Sequence, residues 1–128
     1  MSRDFLRTYQ ELRVYQMAFE SAMQIFELVQ QFPAEEQTLL KPQMIRSSRS
    51  VCANLAEAWQ KRRYRGAFVS KLNEVEAEAA ETQTWIEFAI LCGYLDAETG
   101  QELFGRYREI LAGTARLIEN ADAWVISP

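Results

Sequence analysis

Apolar residues recur at helical spacing in four blocks along this chain. The first contains Leu12, Tyr15, Phe19, Ala22, Phe26 and Val29, in steps of three and four. Pro33 stops it, because the residue before a proline is biased away from helix. The second begins near Pro42, which a first helical turn tolerates. It carries Met44, Ser48, Val51, Leu55 and Ala58 and runs out at Arg62. The third contains Phe68, Leu72, Val75, Ala79, Thr82, Ile86 and Ala89 and ends at Cys92-Gly93, where glycine can take the left-handed cap conformation. The fourth begins at Asp96, a good N-cap residue, and carries Leu103, Tyr107, Ile110, Thr114, Leu117, Ala121 and Trp124. These blocks predict helices over about 8–31, 40–63, 65–92 and 97–122. No block alternates with a period of two, so none reads as strand. Short connections then predict an all-α fold in a single domain: an antiparallel up-down-up-down four-helix bundle.

The apolar surface is wider than one bundle needs. Helix 1 carries a second row, Val14, Ala18, Ser21, Ile25 and Leu28. Helix 4 carries Phe104, Leu111, Ile118 and Val125 at intervals of seven. A lone bundle helix should be polar on its far side. Val14, Ala18, Ile25, Leu28, Phe104, Leu111 and Ile118 are therefore expected to form an oligomer interface between copies of the chain. A plump core that absorbs them all is the other reading. Gly105 and Gly113 weaken helix 4 by ~1 kcal/mol each relative to Ala, and close approach of another helix would offset that.

Composition narrows the chemistry. The chain has 128 residues, a net charge of −4 and no histidine. That removes Ser-His-Asp and Cys-His catalysis, His-ligated zinc and the Glu-x-x-His di-iron motif. The sequence also holds no glycine-rich phosphate loop, nucleophile elbow or Cys-x-x-Cys. No catalytic residue, metal site or cofactor is expected, and the chain does not read as an enzyme. Glu74, Glu78 and Glu81 share one face of helix 3, either as a solvated acidic row or as cation ligands. Cys52 and Cys92 are expected as free, buried thiols of a reducing cytosol. Along antiparallel helices they would lie ~22 Å apart, too far for a bridge. The N-terminus lacks an apolar signal core and no stretch reaches ~20 apolar residues, so a cytoplasmic protein without a membrane partner is expected.

Charge is unevenly spread. Residues 35–66 carry seven Lys/Arg against three Glu, and residues 67–100 carry one Lys against seven Asp/Glu. Arg46 and Arg49 share a side of helix 2, while Lys61, Arg62, Arg63 and Arg65 crowd the helix 2–3 turn around Tyr64, with Trp59 upstream and Lys71 beyond. Basic residues with aromatics suit a phosphate backbone and unstacked bases. They equally suit cations at a helix C-terminus. Ser50, Asn54 and Glu57 border the helix 2 stripe, and Glu81 and Thr84 that of helix 3. A cross-helix hydrogen-bond network is expected of these five, with a ligand site as the alternative.

Several segments carry a family resemblance. Helix 1 reads ELRVYQMAFE (Glu11 to Glu20), followed by QQFPAEE at 30–36. Helix 2 reads Gln43-Met44-Ile45-Arg46, Ser50-Val51 and Asn54-Leu55-Ala56-Glu57. Helix 3 carries Phe68, Leu72, Glu81 and Thr84 and ends Gly93-Tyr94-Leu95. This order resembles the small four helix bundle proteins, also called the 23S ribosomal RNA intervening-sequence family, over about residues 9–95. The resemblance implies a barrel-like homopentamer. It also implies kinship with the accessory variability protein of diversity-generating retroelements, a pentamer that binds nucleic acid and a reverse transcriptase. The partners it suggests are further copies of the chain and RNA or DNA. The alternative is a protein-interaction scaffold or accessory subunit, for a reverse transcriptase or another protein.

Overall fold

A computed structural model describes residues 6–126. Helix α1 spans Arg13–Val29, α2 Leu40–Gln60, α3 Arg65–Leu91 and α4 Ala97–Glu119, and a single-turn α5 covers Ala121–Trp124. Short 3-10 turns at Tyr9–Glu11 and Ala34–Glu36 precede α1 and α2. Each long helix packs on its neighbour in sequence, and α4 returns to α1, which closes the up-down-up-down bundle. The α2–α3 interface is the largest of the four. The 27 residues of α3 make it the longest helix, about 40 Å.

The first helix begins later than its apolar pattern suggests. Glu11 Oε1 accepts the backbone N–H groups of Arg7 (2.8 Å) and Thr8 (3.0 Å) and ties off a separate turn. Leu12 is then extended (φ −67, ψ 127) and drops into the core. The α3–α4 corner follows the sequence signals closely. Gly93 takes φ +78, a conformation that suits glycine, and Tyr94 N–H donates to Ala89 O at 2.8 Å. Asp96 caps α4 by accepting Thr99 N–H at 2.8 Å.

The stripes expected of α2 and α3 are buried along their whole length, and that of α4 is buried from Leu103 to Ala121, with Trp124 half-buried. Helix α1 is different. Its core positions are Val14, Ala18, Ser21, Ala22, Ile25 and Val29. Val14, Ala18 and Ile25, assigned from sequence to a subunit interface, therefore lie inside the monomer and are closed to a partner. Phe19 and Phe26, assigned to the core, face outward instead. Small Ala18, Ser21 and Ala22 let α1 sit close to its neighbours, and the bulky rings are displaced to the flank. Leu28, Phe104, Leu111 and Ile118 are half-buried at the rim of the core.

The glycines of α4 also divide. A Cβ at Gly113 would come 3.2 Å from Val14 Cγ2, so α1 and α4 do approach closely there. Gly105 has open space around it, so no helix of its own chain approaches it. Gly100, by contrast, sits under Ile90, whose Cγ1 would overlap an added Cβ. Both cysteines are free. Cys52 is buried, as expected, but Cys92 caps the end of α3 and is exposed.

Candidate functional site

A continuous polar seam runs along the outer groove between α2 and α3. At its upper end the Arg46 guanidinium pairs with Glu81 at 2.5 Å and Glu78 at 3.3 Å. Ser50 Oγ donates to Glu78 Oε2 at 3.0 Å. Asn54 Nδ2 donates to the Ser50 carbonyl and to Ser50 Oγ, at 2.9 and 3.0 Å. Lys71 Nζ then closes the chain on Asn54 Oδ1 (3.3 Å), Glu57 (3.0 Å) and Glu74 (2.8 Å). Four of the five residues expected in a network, Ser50, Asn54, Glu57 and Glu81, belong to this seam. Thr84 does not: its hydroxyl is exposed and donates to Ala80 O of its own helix. One turn deeper, Thr82 Oγ1 donates to Ser47 Oγ at 2.8 Å inside the core.

The seam sets its own electrostatics. Burial alone would raise the Glu78 carboxyl. Hydrogen bonds with Glu81, Arg46 and Ser50 outweigh that and hold it below the ordinary carboxylate value. Donating to Glu81 and Glu78 raises Arg46, and donating to Glu74 and Glu57 raises Lys71. The Glu74, Glu78 and Glu81 row is thus matched by two cations. Among the described residues, no group of three or more His, Cys, Asp or Glu side chains could hold a metal ion. Cys52 lies deep, and burial pushes its thiol up to about 11.

The same contacts reshape the basic cluster. Arg46 and Lys71 are neutralised in the seam. Arg65 Nε pairs with Asp122 at 2.7 Å. Arg62 is folded back, with its guanidinium 3.5 Å from the Trp59 ring centroid and Nε donating to Trp59 O. Its carbonyl receives Ile126 N–H at 2.9 Å, and Trp124 packs edge-on against Trp59, so this corner is structural. Burial lowers the Arg62 pKa. Arg49 stands 5.6 Å over the Phe26 ring. Lys61 and Arg63 alone of the seven are exposed without an ion pair or ring contact among the described residues, and Tyr64 beside them is 68% exposed.

Two apolar surfaces stand out that the sequence reading did not assign. On α1, Phe19 (50% exposed), Met23 (48%) and Phe26 follow one line at i, i+4 and i+7, with the Tyr15 ring 6.0 Å from Phe19. The spacing was visible in the sequence, but its direction was not. At the opposite end from the α2–α3 turn, Leu39, Leu40, Gln43, Trp85, Phe88 and Cys92 line a cavity of about 340 Å³. Leu91 beside it is 86% exposed. Trp85, Phe88 and Cys92 lie at i, i+3 and i+7 on α3, a second stripe hidden beside the stronger core stripe. Tyr94 OH donates to Glu36 at 2.8 Å and straps the two connections at this end together. That bond, with burial behind it, pushes the phenol up to about 12.

No helix of the described residues is long and apolar enough to cross a membrane. The family model for the 23S rRNA-intervening sequence protein matches residues 10–115. Among solved structures, a protein of unknown function from the S23 ribosomal protein family of Bacteroides thetaiotaomicron VPI-5482 is similar. It is 26% identical with a TM-score of 0.73, and the match covers 84% of this chain and 99% of that one. No curated protein matches.

Proposed function

This chain belongs to the 23S rRNA-intervening sequence protein family, and from that premise we propose that it is a non-enzymatic bundle that assembles with copies of itself, as a pentamer, and holds RNA on its basic turns. The observation that carries the RNA reading is the α2–α3 turn. Lys61 and Arg63 have no carboxylate partner there among the described residues, and they flank an exposed Tyr64. Two free cations can take phosphates while the ring takes an unstacked base. One such turn is weak. Five on one assembly act through effective concentration, which reconciles RNA capture with an acidic chain.

Arg46, Arg62, Arg65 and Lys71 already have partners and are left out of this contact; Arg49 is the remaining reserve. Titrating a labelled single-stranded RNA at about 50 and 200 mM salt tests the reading. The log–log salt slope for single strands is roughly −0.7 per phosphate contacted. Lys61→Ala with Arg63→Ala should flatten it by about 1.4 for each subunit engaged, while Arg46→Ala leaves it unchanged. Absence of binding at the lower salt, or a slope indifferent to Lys61 and Arg63, sinks the proposal.

The accessory-scaffold reading draws on the exposed apolar surfaces at Phe19–Phe26 and around Phe88. It expects a polypeptide to be held at those surfaces with no nucleic acid present.

A further inference from the structure

Helix α3 departs from the rule that a bundle helix turns charged and polar residues outward. Ala77, Ala80, Thr84, Phe88 and Leu91 recur at helical spacing and all five are exposed, Phe88 by 54% and Leu91 by 86%. None of them carries a charge. The Thr84 hydroxyl is spent within the helix, on Ala80 O at 3.1 Å. Helices α1 and α3 stand at opposite corners of the bundle, since each packs on α2 and on α4. One molecule therefore carries two separate uncharged faces, this one and the Phe19, Met23 and Phe26 row of α1.

The two faces match level by level. Both helices run toward the end that the Tyr94–Glu36 bond straps together. Phe26 lies three residues before Val29, the last of α1, and Phe88 lies three before Leu91, the last of α3. Met23 and Thr84 lie six and seven residues before those ends, Phe19 and Ala80 ten and eleven, and Tyr15 and Ala77 fourteen each. At ~1.5 Å per residue, no pair is out of level by more than ~1.5 Å. Lower down, the rings of Phe19 and Tyr15 come opposite the methyl groups of Ala80 and Ala77, large against small.

We propose that, granted the self-assembly of the preceding section, the α1 row of one copy packs in parallel along the outer face of α3 on the next. Copies related by rotation about one axis stand at the same height, so faces that meet must correspond level for level. A second copy meets that condition at four successive levels, and an unrelated partner has no reason to. Bulky side chains entering the gaps over alanines is the packing that parallel helices need. Phe26 meets Phe88, a wall of the 340 Å³ hollow, as an aromatic pair at its mouth. The Arg49 guanidinium over the Phe26 ring shows that the α1 row leans toward α2. The two faces thus stand at less than a straight angle, and a row of copies curves toward closure.

Cross-linking with a short bis-maleimide reads the register in the full chain carrying Cys92→Ser, which leaves only buried Cys52. Adding Met23→Cys and Thr84→Cys together should give a ladder that ends in one closed species. Mixing the two single-cysteine chains should give dimers and nothing larger. Met23→Cys with Ser70→Cys should give no ladder, because those positions are fifteen residues, or ~22 Å, out of level. Separately, Ala80→Glu puts an unpaired charge on the α3 face and should weaken association about tenfold or more by sedimentation equilibrium. Ala80 is exposed, so the helical spectrum should stay intact.

A parent chain that sediments as single subunits removes this contact together with the pentamer. A parent that assembles while Met23 and Thr84 give no link, or while Met23 links as readily to Ser70, overturns this pairing alone. So does assembly that is indifferent to Ala80→Glu.

Discussion

Glu78 shows how one side chain is held by several weak partners at once. It accepts from Ser50 and Arg46 across the α2–α3 groove, and those bonds outweigh its partial burial. Its carboxyl titrates lower in the folded chain than in the unfolded one, where the value is near 4.5. The stability it confers is therefore complete above about pH 4.5 and is lost as pH falls through the lowered native value. Glu78→Gln should accordingly flatten the decline of the denaturant midpoint between pH 5 and pH 3 relative to the parent protein. An identical decline in both proteins would show that the seam does not hold Glu78 charged. Thr82 and Ser47 make a different case, since both are buried, and Ser47 Oγ bonds Thr82 Oγ1, which also reaches Glu78 O at 2.9 Å. Thr82→Val strands Ser47 Oγ in the core, which should lower stability by about 1–3 kcal/mol. Adding Ser47→Ala removes the stranded group and should recover part of the loss. Urea unfolding of the two single variants and the double variant measures the coupling, and simple additivity would contradict a direct bond.

Helix α4 separates intrinsic helix preference from packing. Gly105 and Gly100 lie five residues apart in one helix, so each gains similar propensity, about 0.8–1 kcal/mol, on becoming alanine. Gly105 has nothing within 4 Å of an added Cβ, and Gly105→Ala should raise stability by about that amount. Gly100 lies under Ile90, and Gly100→Ala must move that side chain at a strain of about 1–3 kcal/mol. The expected result is opposite signs from one chemical change, read as thermal midpoints. Helix content and the direction of α2, α3 and α4 were legible because each has one dominant apolar stripe. Asp96 and Gly93 were legible because caps are local. Helix α1 was not: two apolar rows lie side by side, and periodicity gives a repeat without its phase. The free cations were not legible either. The carboxylates that neutralise Arg46 lie 32 and 35 residues away in sequence, and Lys71 reaches back to Glu57. A basic run reports charge, while its availability depends on folding partners.

At the scale of the whole molecule, the phase of α1 leaves Phe19, Met23 and Phe26, rather than Val14, Ala18 and Ile25, open to the proposed lateral contact. The rows expected to meet a partner, Val14, Ala18 and Ile25, are spent on the core. What remains outside is Phe19, Met23 and Phe26, flanked by the Tyr15 ring and covered at one point by Arg49. Single apolar residues on a surface need no partner, whereas an aligned row of large ones is the surface the proposed assembly would cover. Association must overcome an estimated 4–15 kcal/mol of lost translational and rotational freedom. One narrow stripe returns little of that at about 25 cal/mol per Å², so the proposed ring, in which each copy would meet two neighbours through two different faces, needs a second face besides this stripe. Phe19→Ser with Phe26→Ser tests this directly. Both rings are already substantially wet in the monomer, so the unfolding free energy should fall by no more than about 1 kcal/mol for each. The sedimenting species should nevertheless collapse to single subunits. A particle of unchanged size would show that α1 takes no part in assembly and would return the question to the half-buried rims at Leu28, Phe104, Leu111 and Ile118. A large loss of stability would instead show that the two rings belong to the core after all.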